Sequence, residues 1–300
     1  MSDLLDLPTP TTDSTGFDAH AFDLALHAQR QRSAAGDYRT STEALEQLLL
    51  TCPATELHRR AVALTLLAQH YPRIGRLTAS ARCATTALGL AEKLGHDGLI
   101  ADALTAQSFV FAQLMMAREA LEAGMRALAA ARRAGDPVRE SWAMNRVGVA
   151  YASLENPEQA CATTEQALEI AARAGATDAL FACHNNLAHF WLERIHDATA
   201  LRQSEVMAEA IPRARQTAER AYALARQSGS AHRVTVALSN LVNALLAGGQ
   251  LDEALPLINE FSDLAHNHGY PTLALEADLQ RAVYLRLQGE PLQATRMLSA

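Results

Sequence analysis

The stretch from residue 147 to residue 169 decides the fold: Val147-Gly148-Val149-Ala150-Tyr151, then Asn156-Pro157-Glu158-Gln159-Ala160, and finally Ala167-Leu168-Glu169. The Asn-Pro pair ends one helix and opens the next, because proline lacks an N–H donor and suits a first helical turn. Small residues at positions 148, 160 and 167 let the two helices cross closely. The stretch therefore predicts an antiparallel pair of helices.

This helix pair recurs along the chain. Glycines follow runs of good helix formers at Gly95, Gly135, Gly175, Gly229 and Gly269, so the successive intervals are 40, 40, 54 and 40 residues. Glycine suits the left-handed residue that closes a helix at its C-terminus. A period of about 20 to 50 residues is the signature of a repeat architecture.

Small residues mark the same positions in each unit. In the second helix they stand seven residues apart, at Ser80 and Ala87, Ala120 and Ala127, Ala160 and Ala167, and Ala214 and Ala221, whereas the next unit has Ala254 with Phe261. Twelve residues before these pairs, the first helix carries Ala68, Ser108, Gly148, Val242 and, after it, Ala282. Three residues further on, large apolar side chains are expected to fill the wedge between helices: Tyr71, Phe111, Tyr151, Trp191, Leu245 and Leu285.

In the stretch quoted above, and again from Leu241 to Leu245 with Gln250-Leu251-Asp252-Glu253-Ala254, the chain resembles a tetratricopeptide repeat (TPR). Its units are longer than the family's repeat of about 34 residues, which indicates the roughly forty-residue variety. The resemblance covers about residues 55 to 300. It implies an all-α fold, an α-α superhelix or TPR-like solenoid of antiparallel helix pairs, which serves chiefly as a scaffold.

We expect three regions: a disordered polar tail over residues 1–16, a degenerate helical hairpin over 17–52, and about six TPR-like units over 53–300. The interval of 54 residues contains an insertion near 194–210, which either lies on a binding face or merely lengthens two helix ends. The chain stops at Ala300 inside the second helix of an incomplete unit. We therefore expect either a fragment of a longer protein or an uncapped end that self-associates.

Composition excludes several classes of function. A net charge of −7 disfavours binding to nucleic acid or to a membrane. Lys93 is the only lysine and lies outside any glycine-rich loop, which argues against P-loop and Schiff-base chemistry. The four cysteines form no C-x-x-C pair and the N-terminus resembles no signal peptide, so we expect buried thiols in a cytoplasmic protein.

The sequence gives no support for a catalytic site within these 300 residues. It contains no H-E-x-x-H, paired-carboxylate or G-x-S-x-G pattern, so neither an enzyme activity nor a cofactor is predicted. Two histidine groups are candidates for a metal site, Cys183 with His184 and His189, and Asp263 with His266 and His268. His184 and His189 are about 140° apart around a helix, so metal binding is disfavoured.

The resemblance implies that the first helix of each pair lines a concave groove that binds a protein or peptide. Matching the family's positions places these residues in the groove: Asn145, Arg146 and Val149, then Asn185, Asn186 and His189, then Ser239, Asn240 and Asn243. An asparagine amide both donates and accepts, so it suits the backbone of an extended peptide. The alternative is that each asparagine satisfies a backbone group of the protein itself.

The earlier units contribute a less polar lining, with Thr65, Gln69, Thr105 and Phe109. Arg146 and, at the far end, Arg286 are the predicted cations, which departs from the carboxylate-clamp pattern of the family.

The forty-residue units also look similar to the N-terminal sensory arrays of bacterial signalling proteins such as diguanylate cyclases. No Gly-Gly-Asp/Glu-Glu-Phe signature is present, so cyclase activity would belong to another domain. The alternative function is a regulatory, self-associating array of a transcription regulator.

Overall fold

The computed structural model describes residues 16–299 and divides the chain into two compact units, Met1–Gly175 and Ala176–Ala300. The predicted tail, apart from Gly16, lies outside the described residues. Between residues 16 and 299 the chain forms fourteen α-helices and one short 3-10 helix, with no β-strand. The prediction of an all-α fold built from antiparallel helix pairs is confirmed.

The first unit contains eight of the α-helices. They are α1 (Ala19–Ala35), α2 (Tyr38–Thr51), α3 (Leu57–His70), α4 (Leu77–Leu94), α5 (Asp97–Gln113), α6 (Ala117–Ala134), α7 (Pro137–Ser153) and α8 (Pro157–Arg173), with the 3-10 helix Tyr71–Ile74 after α3. The second unit contains α9 (Thr177–Ala200), α10 (Ser204–Ser228), α11 (Ala231–Ala247), α12 (Leu251–Asn267), α13 (Pro271–Leu287) and α14 (Pro291–Leu298).

Local sequence sets the helix ends. Gly95 and Gly135 follow α4 and α6 with φ of 59° and 63°, the left-handed conformation that glycine adopts at little cost. At the other end of a helix, Asp136 and Asn156 accept hydrogen bonds from backbone N–H groups of the first turns of α7 and α8. The proline that follows each cap occupies the first helical position.

The predicted crossing positions lie in the core. Both members of every pair in the second helices are fully buried, including Phe261 in the unit that departs from the pattern. Ser108 on α5 donates its hydroxyl to the carbonyl of Ala120 on α6 over 2.8 Å, so the two backbones come close there. The wedge prediction holds for Tyr71, Trp191 and Leu245, which are buried. It is wrong for Phe111, Tyr151 and Leu285, which remain partly exposed.

The extra residues of the long interval extend two helices. α9 has 24 residues and α10 has 25, against 17 in most other first helices, and only residues 201–203 join them. Arg202 in this turn has a φ of 56°. Trp191 is 4% exposed, and the guanidinium groups of Arg194 and Arg213 lie 4.7 Å and 5.0 Å from its ring centroid. The insertion is thus helical and packs in part on a buried aromatic side chain.

The four cysteines are buried thiols that form no disulfide with one another, as the sequence predicted. Burial raises the pKa of the Cys83 thiol to about 12, so this thiol is protonated and unreactive at neutral pH. Over residues 16–299, none of the helices has both the length and the apolar character that crossing a membrane requires.

Candidate peptide-binding faces

The first helices of successive pairs pack side by side within each unit. In the first unit α5 contacts both α3 and α7, and in the second α11 contacts both α9 and α13. Each unit therefore has a face formed by three first helices. The predicted binding residues divide between the two faces, with Asn145 and Arg146 in the first unit and the others in the second.

In the second unit, polar side chains tie the first helices to one another. The Asn240 amide on α11 donates to the backbone oxygen of Asn185 on α9 over 3.2 Å and to its side-chain oxygen over 3.0 Å. Ser239 donates its hydroxyl to the Glu276 carboxylate on α13. Gln280 on α13 donates in turn to the Ser239 backbone oxygen over 3.0 Å. These contacts hold α9, α11 and α13 together.

Burial separates the predicted groove residues into two groups. The predicted placement in a groove lining needs correction for Asn145, Ser239 and Asn240, which are 0%, 6% and 8% exposed and so offer a ligand almost no surface. Asn240 instead donates to the Asn185 backbone oxygen, which agrees with the alternative that each asparagine satisfies a backbone group of the protein itself. The accessible group consists of Arg146, Asn185, Asn186 and Asn243, which are partly exposed, and His189, which is exposed.

His189 carries the main titratable group of the accessible part of the second face. Its Nε2 lies 3.3 Å from the Glu193 carboxylate one helical turn away. The hydrogen bond to Glu193 raises the pKa of His189, burial opposes this rise, and the charge of Glu276 adds to it. His184, in contrast, has a lowered pKa because it is partly buried and lies near Arg220. The accessible face thus offers amides beside an acidic pair, Glu193 and Glu276.

The first unit has a cavity of about 280 Å³ on the corresponding face. It is lined by Gln69, Arg73, Asp102, Thr105, Ala106, Phe109, Arg139, Trp142 and Arg146. Gln69, Thr105, Phe109 and Arg146 are residues that the sequence had placed on this surface. Asn145, one position before Arg146, points away from the cavity into the packed interior, where it is fully buried.

Two arginines at this cavity lie against aromatic rings. The Arg146 guanidinium carbon is 4.6 Å from the Phe109 ring centroid and 5.9 Å from that of Trp142. The Arg73 guanidinium carbon is 5.5 Å from the same Phe109 centroid and 4.7 Å from that of Tyr38. Arg73 also donates to the Gln69 backbone oxygen over 2.8 Å. Cation–π contacts of this kind restrict the positions of the guanidinium groups.

The third arginine, Arg139, is held by carboxylates. Its Nε and one terminal nitrogen donate to the two oxygens of Asp102 over 3.0 Å and 2.9 Å, and the other terminal nitrogen donates to Asp136. Burial raises the pKa of Asp102, and the hydrogen bond and charge of Arg139 oppose this rise. The charge of Arg139 is therefore compensated within the protein.

Sequence analysis missed Arg73 and Arg139 as members of this face. Arg73 lies in the short 3-10 helix after α3, outside the repeating register, and Arg139 lies in the first turn of α7. A signal for Arg139 was present, since Asp102 precedes it by about one repeat and their pairing joins neighbouring first helices. No similar signal marks Arg73.

Among the residues that the structure describes, no group of three or more His, Cys, Asp or Glu side chains is placed to hold a metal ion. In the first candidate group, Cys183 is buried in the core whereas His189 is exposed on the face, so the two point in different directions. In the second group, His266 donates its Nδ1–H to the Ser262 backbone oxygen over 2.8 Å, and His268 stacks on Tyr270.

Comparison with known proteins identifies the fold. No family model and no curated protein matches the sequence. Aspartyl phosphate phosphatase F from Bacillus subtilis superposes with a TM-score of 0.61 over 93% of this chain and 69% of its own, at 12% identity. A Rap protein complexed with competence and sporulation factor has a TM-score of 0.55 over 94% of this chain and 78% of its own, at 15% identity.

A third similar structure is described as containing a tetratricopeptide repeat. A signal transduction ATPase with numerous domains and a tetratricopeptide repeat sensor, from Pyrococcus horikoshii, superposes with a TM-score of 0.56 at 19% identity. The match covers 93% of this chain and 40% of that protein, so this chain spans well under half of its length. At these identities the likeness concerns the fold: the chain has the architecture of a TPR-type helical array.

Proposed function

We propose that the chain is a protein- or peptide-binding scaffold that forms the sensory or regulatory input region of a signalling protein. The observation that carries this proposal is the cavity on the face of α3, α5 and α7, where arginine, aromatic and amide side chains surround an open volume of about 280 Å³. Concave sites with a few polar groups on an apolar lining are typical of ligand binding.

The accessible residues of the two faces provide different kinds of binding group. In the first unit, Arg146 and Phe109 provide charge and an aromatic surface. In the second, Asn186, His189 and Asn243 provide donors and acceptors for a peptide backbone. Asn145, Asn185, Ser239 and Asn240 remain part of the proposed site as the residues that set the spacing of the helices behind these groups.

A signalling role is supported by what the similar structures are. One of them is a signal transduction ATPase with a repeat sensor, and another is a Rap protein in complex with competence and sporulation factor. Attachment to a diguanylate cyclase, a bacterial source and a cytoplasmic location all stay predictions. The alternative of a self-associating transcription regulator also stays open. The gene sequence beyond codon 300 would distinguish an adjoining cyclase domain from an adjoining helix-turn-helix domain.

The binding proposal is tested by selecting peptides from a displayed random library on the full chain. A face variant, Arg146→Gln with Asn186→Ala, should lose at least tenfold in affinity for the selected peptides, because each lost hydrogen bond to a ligand contributes about 0.5–1.5 kcal/mol and more when charged. A control variant, Gln166→Ala with Arg220→Ala, changes residues of α8 and α10 and should bind as wild type. Failure to select any peptide, or equal binding by the face variant, would refute the proposal.

A further inference from the structure

His70, the last residue of α3, joins this helix to the hairpin formed by α1 and α2. Its side chain is 2% exposed and contacts both helices of the hairpin. Its Nε2 atom lies 2.5 Å from the Ser33 hydroxyl oxygen on α1. Its ring meets the Tyr38 ring of α2 edge-on, with 5.6 Å between the two centroids. His70 is therefore buried at the interface between the hairpin and the rest of the first unit.

The hydrogen bonds around His70 assign its protonation state. The Ser33 hydroxyl donates to the Gln29 backbone oxygen over 2.9 Å, so the hydroxyl oxygen is left to accept from the Nε2–H group of His70. The other ring nitrogen, Nδ1, is buried and has no hydrogen-bond partner among the described residues. The hairpin thus packs on a neutral imidazole whose Nδ1 atom carries no proton.

A second proton on His70 would be unfavourable in this interface. It would bind to Nδ1 and create a buried N–H donor without an acceptor, which costs free energy. Among the surrounding elements, α1 presents Ser33 and carries Arg32 in the same turn, α2 presents Tyr38, and the 3-10 helix places the charge of Arg73 nearby. Burial, and after it the charge of Arg73, lowers the pKa of His70 to about 4.

Ion pairs hold other parts of the hairpin in place. Asp23 on α1 accepts hydrogen bonds from Arg59 on α3 over 2.9 Å and 2.8 Å, and Glu46 on α2 accepts one from Arg76 over 2.8 Å. The hydrogen bonds from Arg59 lower the pKa of Asp23, so this carboxylate stays ionised between pH 7 and pH 5. A solvent-exposed histidine gains its proton in that same range, near pH 6.5.

We propose that His70 makes the docking of the α1–α2 hairpin sensitive to acid: a proton on its Nδ1 atom releases the hairpin while α3 to α8 stay folded. The hairpin is the first helix pair of the unit and packs against α3 and the 3-10 helix, so it can detach without opening the contacts among later helices. Docking is fully favourable above about pH 6.5 and weakens as the pH falls towards 4. For pKa values of about 4 docked and 6.5 released, the weakening at pH 5 is about 30-fold.

Release of the hairpin also changes the cavity of the first unit. The Arg73 guanidinium carbon, at the cavity lining, lies 4.7 Å from the Tyr38 ring centroid and 5.5 Å from that of Phe109. Undocking removes Tyr38 and leaves Arg73 with one of these two rings, which restrains it less. Acid thus acts on the cavity through a helix pair that contributes none of its lining residues. The inference itself does not depend on the proposed binding function.

Labelling of the Cys52 thiol measures hairpin release. Cys52 follows α2 and is fully buried, and its backbone oxygen accepts a hydrogen bond from Arg60 on α3 over 2.7 Å. The full chain is incubated with 4,4′-dithiodipyridine, which reacts with thiols at acidic pH, and the modified cysteines are identified by mass spectrometry. From pH 7 to pH 5, the Cys52 labelling rate of wild type relative to His70→Gln should rise about 30-fold. The buried thiols of Cys161 and Cys183 serve as internal references and should show no such rise.

Two further variants complete the test. His58→Gln changes an exposed histidine at the start of the same helix, so it is the matched control and should keep the pH dependence of wild type. His70→Asn gives the same comparison as His70→Gln if the latter does not fold. A Cys52 labelling rate that does not rise in wild type overturns the proposal, and so does an equal rise in both His70 variants, which would assign the effect to another group. An equal rise at Cys161 would show that the whole unit opens, which also overturns it.

Discussion

Gly148 on α7 tests whether the close helix crossing is what holds each repeat together. A Cβ atom added at this position would lie 2.1 Å from Thr164 Oγ1 and 3.2 Å from the Ala160 backbone oxygen, both on α8. Ordinary contacts between such atoms are longer than about 3.4 Å, so α7 and α8 must separate or Thr164 must move. Thr164 is fully buried, and a β-branched side chain in a helix has few alternative rotamers. We therefore expect Gly148→Ala to destabilise the protein.

Two opposing effects set the size of the change. Overpacking a core costs about 1–3 kcal/mol, whereas replacing glycine by alanine inside a helix contributes about 1 kcal/mol of stability. Because the contact of 2.1 Å is severe, we expect the upper end of the overpacking cost, so the net loss in the free energy of unfolding should be about 2 kcal/mol. It is measured by urea denaturation monitored by circular dichroism. Equal m-values for the two proteins would show that both expose the same surface on unfolding.

Two further variants separate the clash from other causes. Gly89 lies inside α4 with no atom within 4 Å of an added Cβ, so Gly89→Ala should stabilise the protein by about 0.5–1 kcal/mol. Thr164 Oγ1 makes no hydrogen bond to any described residue, so Thr164→Ala removes the clashing atom at little polar cost. In the Gly148→Ala background it should recover about 1 kcal/mol or more. A Gly148→Ala protein as stable as wild type, or no recovery in the double variant, would refute the assigned crossing.

Two other predictions concern buried polar groups. Burial, with a contribution from the charge of Arg73, lowers the pKa of His70 to about 4 from 6.5. Below about pH 6.5 the unfolded chain therefore takes up a proton that the folded chain does not, and the free energy of unfolding falls as the pH drops from about 6.5 towards 4. Between about pH 7 and pH 5, wild type should lose about 2 kcal/mol more than His70→Gln in urea denaturation, and equal losses by the two proteins would contradict this prediction. Asn240→Ala removes two hydrogen bonds to Asn185 and should cost about 1–2 kcal/mol, whereas Asn243→Ala should stay within about 0.5 kcal/mol, as thermal melts will show. Equal melting temperatures for Asn240→Ala and Asn243→Ala would contradict a structural role for Asn240.

The repeat register was predictable because close helix crossings restrict residue size. Ala160 and Ala167 are fully buried on α8, and a larger side chain at either position would hold the helices apart. The same restriction recurs in every unit, so its period survives in the sequence even where a member such as Phe261 departs from it. The spacing of the small residues depends only on the local geometry of each helix crossing, so it can be read from a single sequence.

The cavity was less predictable because its residues come from different structural contexts. Arg146 follows the repeat register of the first helices, whereas Arg73 enters from the 3-10 helix that follows Pro72. Arg139 could have been found by searching for opposite charges one repeat apart. Asp97 with Arg133 and Asp23 with Arg59 pair across the same sequence distance of about 36 residues as Asp102 with Arg139. Arg73 has no such partner in the sequence pattern.

The asparagines show why register alone does not define a binding site. Asn185 and Asn186 are neighbours in sequence, but on a helix they are separated by about 100°, so they face different surroundings. Asn240 on α11 donates to Asn185, whose backbone oxygen and side-chain oxygen thereby take part in the packing of α9 against α11. A polar residue at a crossing of neighbouring first helices must find such a partner or pay for desolvation. The proposed binding residues are therefore those one position off the crossing, such as Asn186 and Arg146, and variants meant to test recognition belong there.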